Sequence, residues 1–389
     1  MDFNKVINRK ASQSIKWEVN KGELPLSIAD MDFKTCDYII DGFKKRIDMG
    51  DFGYTDLNDE FYKSYINWWK RRHNFNFKKE WMMFSIGVVP SISSIIRRMS
   101  EIANNVVILT PVYNIFYNSI LNNGRHVLES KLIYKDGNYF IDFEDLEKKL
   151  ALKETSILLF CNPHNPIGKI YSKEELIKVG ELAKKYNVFV ISDEIHCDLT
   201  RLNKDYIPFA SVNNTNLNNS VTLISPTKAF NLAGIQTSCI ICKNEEVRHK
   251  INRGINTSEI AEPNVLAAIA PALAFSKEGE KWLNSLRLYI DSNIAFIKDF
   301  IANNLPEIRL INCEATYLLW LDISKITSNS KYFSDFLKEK TGLILNPGLE
   351  YGKGGEHFLR LNAATQISRI EDAMNRLKKG VELFKKENK

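Results

Sequence analysis

Five short apolar runs, 106–110, 156–160, 188–192, 221–225 and 238–242, punctuate the first two thirds of the chain, each bounded by turn-forming residues. Their hydrophobicity is continuous rather than alternating, which predicts strands covered on both faces, as in a mostly parallel sheet. Between the second and third runs, 173–186 places Leu176, Val179, Ala183 and Tyr186 on one helical face. Strand and helix patterns that alternate in this way predict an α/β layer architecture.

Past Pro263 the segment 265–269 is apolar nearly all round, and a long amphipathic pattern from 278 to about 303 predicts a helix able to bridge two domains. Beyond it, 308–312, 317–323 and 357–362 read as strands and 331–340 and 367–385 as helices, a small α+β unit. A chain of 389 residues is too long for one small core. The expected division is an N-terminal segment over 1–45, a large domain over 46–285 and a smaller C-terminal domain over 286–389.

Charge narrows the partners. The formal net charge of +6 is scattered, apart from a basic last helix ending in Lys385, Lys386 and Lys389, so a nucleic-acid partner is not expected. No apolar run approaches a membrane span, and Met-Asp-Phe-Asn-Lys at the start has no apolar signal core, so the expected location is the cytosol. Cys36, Cys161, Cys197, Cys239, Cys242 and Cys313 show no disulfide spacing, which fits a reducing compartment. Cys239 and Cys242 form a CxxC, but inside a strand residues three apart point to opposite faces, so no metal site is expected.

Nucleotide-binding GxGxxG and GxxxxGK[ST] signatures are absent, as are HExxH and GxSxG. Gly352, Gly354 and Gly355 follow no strand-to-helix signal and read as a flexible loop; Asp30 and Asp32 read as turn caps. What remains is a set of polar residues at the C-terminal ends of predicted strands, where open α/β sheets keep their ligands. Asp193 follows the 188–192 strand, Ser225 closes the next, Lys228 lies three residues later, and Asn165 sits in the Asn162-Pro163-His164-Asn165-Pro166 turn. Gly87, Val88 and Val89 end another apolar run, and Pro90 opens a helical pattern as its first residue, so free amides there suit a phosphate. Pyridoxal phosphate asks a protein for such a set: a lysine for its aldehyde (Lys228), an acid for its ring nitrogen (Asp193) and donors for its phosphate.

The motifs resemble the fold-type I pyridoxal-phosphate enzymes of the aspartate aminotransferase superfamily, and within it the cystathionine β-lyase branch of the class I/II aminotransferase family. The resemblance runs from Ala29-Asp30-Met31-Asp32-Phe33 through Phe52-Gly53-Tyr54-Thr55, Gly87-Val88-Val89-Pro90, Pro111-Val112-Tyr113 and the 162–168 turn. It continues through Ser192-Asp193-Glu194-Ile195-His196, 225–228, 230–236 and Phe358-Leu359-Arg360-Leu361-Asn362. It implies a large domain with a mainly parallel, seven-stranded mixed sheet, a small C-terminal domain, and a homodimer with shared active sites.

By the same resemblance, Lys228, Asp193 and Tyr113 are catalytic, with Tyr113 over the cofactor ring. Asn165 meets the ring's phenolic oxygen and the substrate carboxylate, Ser225 the phosphate, and Tyr54 the partner subunit's phosphate. Arg360 clamps the α-carboxylate. Two departures from the aminotransferase pattern, His196 three residues after Asp193 and Gln236 eight after Lys228, resemble the lyase branch; His196 counts among the cofactor contacts. A third, Ala363-Ala364-Thr365-Gln366, affects only its own loop. The implied activity is a carbon–sulfur β-lyase that releases a thiol, pyruvate and ammonia from an amino acid. An aminotransferase and a regulatory protein that keeps the fold are the alternatives.

Overall fold

The computed structural model describes residues 1–387, so Lys389 lies outside the described residues. Seven strands form the main sheet: β1 (Met82–Ser85), β2 (Asn105–Thr110), β3 (His126–Lys131), β4 (Thr155–Cys161), β5 (Phe189–Asp193), β6 (Ser220–Ile224) and β7 (Ser238–Ile241). Their order is β1-β7-β6-β5-β4-β2-β3, and β7 alone runs against the rest. This is the mixed, mainly parallel seven-stranded sheet expected. The five apolar runs became β2, β4, β5, β6 and β7, each shifted by no more than one residue at an end.

β3 had no expectation attached because it lies at the sheet edge. Its sequence, His-Val-Leu-Glu-Ser-Lys, keeps only one residue fully buried, and polar edge strands of this kind resist pairing with other chains. β5 is buried along its whole length. Each of its large apolar side chains contributes about 1.5–3 kcal/mol by leaving water, which anchors the strand end that carries Asp193.

Helices cover both faces. Val88–Met99 buries Ile92, Ile95 and Ile96 and ends in Arg97 and Arg98, whose charges suit a helix C-terminus. The helix starts at Val88, so Pro90 is its third residue rather than its first; that is still within the turn where no amide partner is needed. Lys173–Lys185 begins with a capping box between Ser172 and Glu175. The 28-residue helix Lys277–Asn304 starts at an N-cap, Ser276. Its Trp282, Leu283, Leu286 and Ile290 pack in one core, its Ile297 and Ile301 in another.

That second core lies under an antiparallel sheet of β8 (Arg309–Leu310), β9 (Leu318–Asp322), β10 (Asn346–Pro347) and β11 (Phe358–Asn362), ordered β8-β9-β11-β10. The N-terminal stretch joins this side, where Leu24–Pro25 pairs in parallel with Leu343–Ile344. Among the described residues, no helix is long and apolar enough to cross a membrane.

Candidate active site

Because β7 is reversed, its start lies at the same sheet edge as the ends of β1, β4, β5 and β6. A cavity of about 250 Å³ opens there, lined by Gly87, Val88, Val89, Tyr113, Asn165, Asp193, His196 and Lys228, among others. Larger grooves exist, one of about 460 Å³ beside Trp282. The smaller cavity gathers a buried amine, carboxyl and imidazole with shifted protonation, the kind of cluster that marks reactive sites.

Lys228 sits in the loop after β6. Its Nζ donates to the Ala29 carbonyl at 2.7 Å. Burial and the nearby positive charge of Arg360 lower its pKa to about 8, against the pull of Asp30 and Asp193. The 29–33 segment that supplies the carbonyl is pinned to the same loop: Asn231 accepts from the Met31 amide at 3.0 Å and donates to the Met31 and Phe33 carbonyls.

At the end of β5, Asp193 accepts from the Ile195 amide at 3.1 Å. Burial raises its pKa to about 6, partly offset by that bond and by Lys228. His196 follows on the next turn. Burial, then the positive charges of Lys228 and Arg360, lower its pKa to about 3, so the imidazole is neutral. Its Nδ1 is buried with no partner among the described residues.

The Asn165 turn is held from both sides. His164, fully buried, has Nε2 at 2.8 Å from the Pro111 carbonyl and Nδ1 at 2.8 Å from the Tyr171 hydroxyl. Gly168 adopts φ +66, and a Cβ there would stand 2.5 Å from Cys313 Sγ and 2.8 Å from the Ala315 carbonyl, so only glycine fits. Asn165 Oδ1 in turn accepts from Arg360 Nη1 at 3.4 Å.

Arg360 stands behind Asn165 on β11 rather than in the cavity wall. Its Nη2 donates to the Ser27 carbonyl and to Asn346 Oδ1, and its guanidinium lies 4.9 Å from the Tyr351 ring. These partners are all uncharged, and Nε is buried without one among the described residues. A carboxylate is what this guanidinium lacks.

Like Arg360, two other expected site residues are not in the cavity wall. Ser225 uses its hydroxyl inside the turn, donating to the Thr237 carbonyl at 2.6 Å and accepting from the Thr227 amide. Tyr54 is fully exposed, and Phe52 and Met49 nearby are largely exposed. Tyr113 lines the cavity and packs edge-on against Phe116. Gln236 is at the exposed mouth.

Other expectations change. Asp32 caps no turn: it is fully buried in an ion cluster with Lys16 at 3.0 Å, Arg369 and Arg9, and accepts from Trp17 Nε1. Asp30 pairs with Arg9. The 352–355 glycines form a closely packed loop, where a Cβ on Gly352 would collide with the Tyr117 hydroxyl. Cys239 in β7 lies in one core, and Cys242, one residue past the strand, lies in another.

Sequence reasoning passed over Tyr317, whose hydroxyl donates to the Ala29 carbonyl at 3.0 Å beside Lys228. It also passed over His164 and Asn231. His164 lies inside the quoted turn, so its neighbours were the available signal; nothing in local pattern points to Tyr317, which reaches the site from β9.

Comparison with known proteins gives a coherent picture. The model of the family "Aminotransferase class I and II" matches residues 21–377. The chain is 38% identical to cystathionine beta-lyase PatB of Bacillus subtilis over 97% of this chain and 99% of that protein. Cystalysin from Treponema denticola, whose crystal structure contains a pyridoxal 5'-phosphate cofactor, is 35% identical with a TM-score of 0.95 over 98% of each chain. The PLP-bound C-S lyase from Staphylococcus hominis is 31% identical with a TM-score of 0.92, again over 98% of each. The architecture is thus the aspartate-aminotransferase-like α/β fold.

Proposed function

Because the chain belongs to the aminotransferase class I and II family, we propose that it is a pyridoxal-phosphate-dependent carbon–sulfur β-lyase. Its substrate would be cystathionine or a related cysteine S-conjugate, which with water gives the thiol, pyruvate and ammonia. When bound, pyridoxal phosphate supplies an aldehyde for amine condensation and a protonated ring that draws electrons from the substrate α-carbon.

The observation that carries the reading is the convergence on one cavity of the Lys228 amine, the Asp193 carboxyl and the start of the Val88–Met99 helix. The residues fit the cofactor. The Val88 and Val89 amides have no acceptor within the helix and suit a phosphate. Asp193 would hold a proton at the ring nitrogen, and the orphaned Nδ1 of neutral His196, with Asn165, would face the ring's phenolic side. Tyr113 offers an aromatic face for the ring.

With its pKa near 8, the Lys228 amine keeps a neutral fraction at physiological pH and can take the substrate α-proton. Arg360 would orient the substrate through two parallel bonds to its α-carboxylate. Ser225, whose hydroxyl holds the turn before Lys228, would stand beside the phosphate. Tyr54 would serve the partner subunit of a homodimer, and a cytosolic setting suits six free cysteines. The test is product analysis with cystathionine and no added keto acid. Pyruvate and homocysteine in equal amounts are expected; turnover that depends on a keto acid would mean an aminotransferase.

A further inference from the structure

The six residues from Asp193 to Asp198 carry three carboxyl groups in three different surroundings. Asp193 faces the cavity and Lys228. Asp198 accepts from Trp68 Nε1 at 3.0 Å, lies 3.0 Å from His73 Nε2 and forms an ion pair with Arg72 at 3.3 Å. Glu194, between them, is fully buried and meets no cation.

Glu194 Oε1 accepts from Ser192 Oγ at 2.7 Å and from the Phe209 amide at 2.9 Å, and Oε2 meets the Tyr206 hydroxyl. Its titratable neighbours are Asp193, Tyr206 and the Cys197 thiol; His73 stands edge-on to the Tyr206 ring, at 5.1 Å. A carboxylate buried without a cation costs several kcal/mol, whereas the protonated acid is a donor. An acceptor is at hand in the Tyr206 oxygen, which meets Oε2.

These contacts join three segments. Glu194 leads out of β5; Asn162 opens the turn of Asn165, its amide donating to the Asp193 carbonyl at 2.9 Å and its Nδ2 to the Ile207 carbonyl at 3.0 Å; Tyr206 and Phe209 belong to the loop between. We propose that Glu194 is a positioning residue working as a neutral acid, whose proton clasps the 206–209 loop, and through it the Asn162 turn, to the end of β5 and so fixes Asp193 and His196 toward the cofactor. The proposal rests on the lyase reading for its cofactor. Burial pushes Glu194 up to about 8, whereas Asp198, despite equal burial, is held below the ordinary carboxylate range by His73, Arg72 and Trp68. Groups so close that are driven apart this way have separate tasks.

The sign follows from linkage. A folded pKa above the unfolded value means that wild-type stability declines as pH rises from about 4.5 to about 8. Above 8 the native clasp itself carries charge. Glu194→Gln keeps the shape of the neutral acid and cannot ionise.

The experiment has two arms. In cofactor-free protein, urea midpoints are measured from pH 5 to 9 for wild type and Glu194→Gln; the wild type should fall relative to the variant up to about pH 8 and then run parallel. In loaded enzyme, the cofactor dissociation rate is followed by absorbance from pH 7 to 9.5. The wild-type rate should gain about tenfold over that of Glu194→Gln above pH 8. Tyr206→Phe, which removes a partner of the clasp, should release cofactor faster at every pH. Stability profiles that stay parallel throughout, or release rates with the same pH dependence in wild type and Glu194→Gln, would overturn the proposal. If the first arm behaves as expected and no cofactor binds, it is the lyase reading that fails.

Discussion

An amine that must act both as nucleophile and as base at neutral pH cannot keep an ordinary lysine pKa. At Lys228 the chain lowers it by burial and by the positive charge of Arg360. In cofactor-free protein, Lys228 should therefore be acylated with half-maximal rate near pH 8, read by peptide mass spectrometry; a midpoint near that of surface lysines would contradict this. Arg360 has only uncharged partners, and its planar fork is matched to a carboxylate. Arg360→Lys should raise KM for the amino acid by roughly 10- to 100-fold, the worth of a bidentate charged contact, with a smaller effect on kcat. At this scale the sequence was most legible where a residue follows a strand end. Lys228, Asp193 and Asn165 meet in one cavity because strand ends in a parallel sheet converge. Ser225 stands where expected, just after β6, with its hydroxyl engaged in the turn. Asp32 misled because its partners, Lys16, Arg9 and Arg369, come from distant parts of the chain.

At the scale of elements, the site depends on loops clamped by groups outside it. The Asn165 turn rests on His164 beneath and on Gly168 at its end, where the 313–315 segment passes in contact. Gly168→Ala adds a Cβ at positive φ against backbone and sulfur, so it should cost about 1–3 kcal/mol and lower the thermal midpoint. It should also weaken substrate binding through Asn165 and Arg360. Unchanged thermal stability and KM would remove the turn from the account. Buried strands and long amphipathic helices were readable to within a residue or so, because burial on two faces or one leaves a direct mark on the pattern. β3 and the charged helices Asp37–Asp48, Asp59–His73 and Glu245–Thr257 were not, because polar residues dominate their exposed faces.

On the scale of the whole molecule, the helix Lys277–Asn304 and the 29–33 segment tie the two sheets together around the cavity. The segment links Lys228, through Ala29, to β11, where Asn362 Nδ2 donates to the Ile28 and Asp30 carbonyls. The exposed Ile47, Met49, Phe52 and Tyr54 form an apolar stretch of the kind that seeks a partner. Sedimentation should give twice the chain mass, and Phe52→Asp should shift it toward one chain with loss of lyase activity; a wild type that sediments as a single chain would exclude the shared site. Cofactor attachment and proton transfer both depend on one side chain, Lys228. Borohydride reduction of the loaded enzyme followed by peptide mass mapping should place the phosphopyridoxyl group on the peptide containing Lys228, and nowhere in Lys228→Ala. Label on a different lysine, or none in the wild type, would contradict it.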